Sequence, residues 1–121
     1  MATTQPIPQA IREQIANDYF MAFCVYEDQD APNHECDGRV EWEHAYLYAG
    51  KRINEPWAII PCCTGHNRGK GIVKDYNHYR ALLRAIELLP DGLADLARRY
   101  PRHNWQQDFN YFQNKYGRNQ N

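Results

Sequence analysis

Three patterns predict an α+β fold with a strand–strand–helix unit at its centre. Apolar residues recur at spacings of three and four towards both ends of the chain. Two short extended runs occupy the middle, and cysteine and histidine residues gather at both ends of that pair of runs. The 121 residues are 43% hydrophobic and 13% aromatic, which suits one domain with one modest core. The reading is a single domain over 1–121, with its central motif at 24–75 and a helical extension at 76–121.

The elements follow in chain order. From Gln9 to Phe23, residues Ile11, Ile15, Tyr19, Phe20 and Phe23 fall at helical spacing, and Pro6 and Pro8 just before them suit a helix start. Between Cys24 and Asp37 the chain is polar and rich in turn residues, a loop joining two cysteines. Arg39 to Leu47 predicts a strand with Val40, Trp42 and His44 on one side and Glu41, Glu43 and Ala45 on the other. Gly50, Lys51 and Arg52 mark a turn, and the apolar run Trp57 to Pro61 predicts a second strand. Residues 63–71, CTGHNRGKG, are dense in glycine and polar groups, and a helix follows or overlaps them. Tyr79, Leu82, Leu83, Ile86 and Leu89 predict a helix over 76–89, ended by Pro90, Asp91 and Gly92. A shorter helix over 93–100 precedes Pro101. Trp105, Phe109, Phe112 and Tyr116 then form an aromatic stripe at spacings of four, three and four, the pattern of a helix face turned to the core.

Composition narrows the function. No apolar run approaches the roughly 18 residues of a membrane span. The opening MATTQPIPQAIREQ has no basic region followed by an apolar one, so an intracellular, cytoplasmic setting is expected. A net charge of −1 divides unevenly: residues 1–60 hold four basic and ten acidic side chains, and residues 61–121 hold ten and five. The basic half can meet an anionic partner, although charge alone favours two solvated faces.

Four cysteines in an intracellular chain point to metal or thiol chemistry before disulfides. Cys63 and His66 have the two-residue gap that lets both side chains of one turn reach the same ion. With Cys24 and Cys36 they supply three thiolates and an imidazole, a zinc set. A buried, unliganded role for the cysteines is the bland alternative. A second register also stays open, with Cys62 and His34 in the zinc shell and His66 on a catalytic cation. Between the two groups lie Glu43 and His44, and Asn67 follows His66 directly. Adjacent strand residues face opposite ways, so a bulge or distortion is expected if Glu43 and His44 share one centre. His44 could then deprotonate water, while Glu43 and the Asn67 amide oxygen grip a hard divalent cation.

The stretch WEHAYLYAGKRINEPWAIIPCCTGHNRGK, with the cysteines before it, resembles the HNH (ββα-metal, His-Me finger) endonucleases. In that family an acid–His pair on one strand is followed by a second strand leading into a zinc-binding turn that opens a helix. Glu43 and His44 match the pair. Cys63 and His66 match the turn, Asn67 takes the final position, and Lys70 matches a basic residue beyond it. The Asn-ending form is similar to that of phage recombination endonuclease VII. Glu stands here for the commoner Asp, and His66 stands for a zinc cysteine. The middle Asn of the family falls near Ala58 in register, and Asn54 from the preceding loop is the substitute.

The resemblance implies a zinc-braced ββα-metal unit with flanking helices and a metal-dependent hydrolase of nucleic-acid phosphodiesters. DNA, double-stranded or branched, is the expected polymer, and phage or prophage is the expected source. Structural Zn²⁺ is implied together with catalytic Mg²⁺ or Mn²⁺ on Glu43 and Asn67. His44 is the implied general base, and 5′-phosphate and 3′-hydroxyl ends are the implied products. Lys51, Arg52, Arg68, Lys70 and Lys74 are the candidate phosphate contacts, with Arg80 and Arg84 further along the same helix. The C-terminal helices either pack on this unit or pair two subunits as a homodimer. A nucleic-acid-binding zinc module without chemistry is the main rival.

Overall fold

The computed structural model describes residues 7–28, 31–32, 35–70 and 72–117, without the side chains of 68–70. His34, the alternative zinc ligand, and the side chains of Arg68 and Lys70 lie outside what is described. The architecture is α+β, with four α-helices and two small antiparallel sheets among the described residues. No helix there is long and apolar enough to cross a membrane.

Helix α1 (Gln9–Ile15) is shorter than the apolar spacing predicts. The Asp18 carboxylate accepts the Phe20 N–H at 3.0 Å and starts a separate 3₁₀ turn, Tyr19–Ala22. A side chain that caps a new turn competes with continuation of the old one, so the periodicity of 9–23 does not yield one helix. Tyr19 is left 79% exposed. A second 3₁₀ turn, Val25–Glu27, begins at Cys24.

Strands β1 (Val40–His44) and β4 (Ile59–Cys63) pair antiparallel, with Val40 opposite Cys63 and His44 opposite Ile59. The second strand thus begins two residues later than the WAIIP run suggests, because Pro56–Ala58 winds into a 3₁₀ turn. Pro61 sits inside β4 without cost. Flanking bonds from Thr64 N to Arg39 O and from Ala45 N to Ala58 O make the odd-numbered β1 residues the hydrogen-bonded pairs. Pro61 faces the even-numbered Trp42, where the ladder asks for no N–H. Between the long strands, β2 (Leu47–Tyr48) and β3 (Lys51–Arg52) make a small hairpin. Ala49 and Gly50, both at positive φ, turn it.

The two faces of the β1–β4 pair are covered differently. Trp42 and Ile59 pack with Ile7, Ile15 and Met21 from the N-terminal segment, and the Trp42 Nε1–H donates to Met21 O at 3.2 Å. The opposite face carries Ile60 and Cys62 into the main core against helix α2 (Lys74–Leu88), which matches the predicted 76–89. Helices α3 (Leu93–Arg99) and α4 (Trp105–Tyr116) close over it. The aromatic stripe of α4 behaves as a core face. Trp105 and Phe112 are buried, and Trp105 meets Trp57 edge to face at 5.9 Å. Glu55 ties the loop before β4 to α3, accepting from Trp57 Nε1 at 2.9 Å and from Arg99 and Tyr100. Helix α2 therefore packs on the strand pair of its own chain, and α3 and α4 pack on α2 and around Trp57.

Candidate metal centre and adjoining cleft

Two chain segments 26 residues apart are held together where β4 ends. Gly65 N donates to Asp37 O at 2.8 Å, Thr64 Oγ1 donates to the same oxygen at 3.2 Å, and Asp37 N points at Cys63 Sγ at 3.3 Å. The approach is so close that it needs glycine on both sides. Gly38 sits at φ +86°, and a Cβ there would lie 1.7 Å from Thr64 Oγ1. A Cβ on Gly65 would lie 2.9 Å from Asp37 Cβ. After β4 the chain runs into a π-type turn, Gly65–Lys70, which carries His66 and Asn67.

This clasp delivers Cys36 to Cys63 and His66, and the 3₁₀ turn at 25–27 delivers Cys24. The ligand atoms of Cys24, Cys36, Cys63 and His66 all lie within 4.8 Å of one another. His66 is fully buried, with Nδ1 at 3.0 Å from Cys63 Sγ and 3.9 Å from Cys24 Sγ. A tetrahedral zinc with bonds of about 2.0–2.3 Å holds its ligand atoms roughly 3.3–3.8 Å apart, so the four residues can hold a metal such as zinc. Cys62 is not part of the group. It faces the other way, its sulfur 3.9 Å from the Asn77 amide. The structure therefore assembles the first ligand register and leaves Cys62 as a core thiol.

The thiols titrate apart. Burial raises Cys24, and it pushes Cys36 up to about 12 with help from the neighbouring sulfurs of Cys24 and Cys63. Burial also acts against the Cys63 thiolate, but N–H donors of Asp37 and His66 and the His66 ring outweigh it and lower Cys63 to about 6. Three adjacent thiols resist simultaneous ionisation, and a dication at their centre removes that resistance.

Tyr26 locks the cluster to α2. Its ring stacks on His66 at 4.2 Å, and its hydroxyl donates to Asn77 Oδ1 while accepting the Val73 N–H at 2.9 Å. Sequence reading missed this residue; two positions after Cys24, nothing in its context marks it.

Asn67 extends from the turn across to β1. Its Nδ2 donates to Glu43 Oε2 at 2.7 Å and to Glu41 Oε1 at 2.9 Å. Glu43 and Asn67, paired in the sequence reading, do meet, and Glu41 joins them. The i, i+2 alternation had already placed Glu41 on the Glu43 side, and that was the available signal. The amide nitrogen faces both carboxylates, and turning the amide over would bring its acceptor oxygen to the same side as theirs.

His44 is the last residue of β1, and the ladder up to it pairs one for one. The bulge expected between Glu43 and His44 does not form. His44 Nε2 lies 2.6 Å from Asn54 Oδ1; with that oxygen as acceptor the ring donates from Nε2, which leaves Nδ1 to accept. Asn54, the substitute named for the middle amide, thus meets His44, while Ala58 is fully buried. His44 opens onto a cleft of about 480 Å³ that Arg52, Lys74, Asn77 and the far-off His103 and Asp108 also line.

The basic side chains divide into two kinds. Arg84 is buried, bonded to Asp18 and Glu87, and stacked over Phe20. Arg80 is spent on Val25 O, the Tyr76 hydroxyl and Asp28. Neither is free for a phosphate: both brace α2 to the N-terminal segment. Lys51 and Lys74 are exposed and Arg52 is half-buried on β3.

No protein-family model, no curated protein and no solved structure matches the chain.

Proposed function

We propose that the chain is a metal-dependent endonuclease of the HNH kind, hydrolysing nucleic-acid phosphodiesters, with DNA as the expected polymer. The observation that carries the reading is the meeting of Glu43 with Asn67 at 2.7 Å, directly beside a Cys/His cluster and one residue before a histidine oriented by an amide. A bland surface carboxylate and a bland strand histidine need none of these partners.

In this reading zinc on Cys24, Cys36, Cys63 and His66 fixes the turn that carries Asn67 relative to β1. Glu43 and Asn67, with Glu41 beside them, hold a hard dication such as Mg²⁺ or Mn²⁺. When bound, that ion supplies positive charge against the charge developing on the phosphoryl oxygens and the leaving 3′ oxygen. His44 takes a proton from water at Nδ1. Asn54 keeps the ring in the tautomer that can accept it and faces the imidazolium that results. Arg52 and Lys74 meet the phosphate backbone along the cleft. The setting is expected to be a phage or prophage.

The test is nicking of supercoiled plasmid by zinc-loaded protein with added Mg²⁺ or Mn²⁺. Cleavage is expected, and His44→Ala should lower its rate by about 10²–10⁴, the usual worth of a general base, with zinc content unchanged. A protein that binds DNA but never nicks it would leave only the non-catalytic zinc module. Full activity in His44→Ala would remove His44 from the chemistry.

A further inference from the structure

The cleft beside His44 has a wall that the central motif does not supply. His103 precedes α4, and its Nε2 lies 2.6 Å from Asp108 Oδ2. The same carboxylate oxygen accepts from the Tyr46 hydroxyl at 3.4 Å. The His103 ring rests on Trp105, with centroids 4.3 Å apart, and meets Tyr46 edge-on at 6.2 Å. The imidazole is therefore held on one nitrogen by a carboxylate and on its flank by aromatic rings, yet 39% of its side chain faces solvent. Arg52 and Lys74 line the same cleft and are in no ion pair among the described residues. A fixed imidazole and two cations in one cleft, whose carboxylate Asp108 is already engaged by His103 and Tyr46, make a place for an anion.

We propose that His103, oriented by Asp108, contacts a backbone phosphate of a nucleic-acid strand lying in this cleft, so that the C-terminal extension is part of the substrate site. The proposal rests on the nuclease reading for the identity of the strand, but its residues lie outside the Glu43–His44–Asn67 group. The contact positions the strand, and the hydrolytic step stays with His44.

The experiment measures binding of a fluorescently labelled DNA duplex by anisotropy at low salt, without added Mg²⁺ or Mn²⁺, on zinc-loaded protein. His103→Gln should weaken binding about tenfold or more, the worth of one hydrogen bond to a charged group. His103→Lys, which places an ammonium donor at the same position, should recover most of it. Arg98→Gln, whose guanidinium is committed to Asp91 and Asp95 on the far side of α3, should change nothing and controls for loss of bulk charge. Melting temperatures confirm that each variant is folded. Unchanged affinity in His103→Gln overturns the proposal, as does equal weakening in Arg98→Gln. Wild-type protein that binds no DNA overturns both this proposal and the nuclease reading. Binding that depends on His103 in a protein that never nicks plasmid supports the cleft contact and sinks only the nuclease reading.

Discussion

Replacing Cys63 by Ser separates a metal brace from a core thiol by magnitude. Serine keeps the size, and its hydroxyl inherits both neighbours of the sulfur, Asp37 N at 3.3 Å and His66 Nδ1 at 3.0 Å. If Cys63 only fills space, the exchange costs about 1–2 kcal/mol. At this chain length that lowers the melting temperature by roughly 5–10 °C. If the four residues hold zinc, the loss is of another size. Structural zinc is worth about 10–16 kcal/mol in small domains, while a chain of this length has roughly 6–18 kcal/mol of stability in all. The variant should then fall by more than about 15 °C, contain little zinc, and melt like wild-type protein treated with a chelator. The assay is thermal unfolding with and without chelator, beside elemental analysis of the purified protein. A wild-type melting curve indifferent to chelator, with less than about half an equivalent of zinc, would refute the brace.

Three further outcomes follow from particular contacts. Gly38→Ala should cost about 2–4 kcal/mol in urea unfolding, from a left-handed backbone and the collision with Thr64. Adding Thr64→Ala should recover the collision part and leave the backbone part. Asn54→Ala should lower the nicking rate about tenfold or more with zinc content unchanged, because the His44 ring loses its orienting partner. His78, stacked on Tyr46 at 4.1 Å, is held below the ordinary imidazole value by burial and then by Lys74. A depressed folded value means that stability is complete above the unfolded value near 6.5 and is lost as pH falls through it. Wild type should therefore lose more stability than His78→Phe between pH 7 and pH 5, and parallel losses would show that His78 is not the group responsible.

Local signals carried much of this protein. The 3.6-residue period found α2, α3 and α4 because their apolar faces meet one continuous core, and the Cys63–His66 spacing found a turn whose side chains could hold a metal. The period misled at 9–23, where Asp18 caps a new turn and the apolar residues after it serve a different surface. Cys36 was reachable only by counting cysteines, since its place depends on Gly38 allowing two loops to touch. Asn54 and Glu41 lie on segments whose sequence fixes neither register nor twist, so their partners emerge only when β1 and β4 pair. His103 and Asp108 were the least visible. Their neighbour Trp105 reads as core, and the cleft they border exists only once the C-terminal helices fold back.

Tyr26 gives the arrangement one more property. A single phenol leans on the ring of His66 and at the same time fastens the first turn of α2, so filling of the sulfur cage and seating of that helix form one equilibrium. A defect introduced at either end should be felt at the other, through a side chain that is itself in neither group.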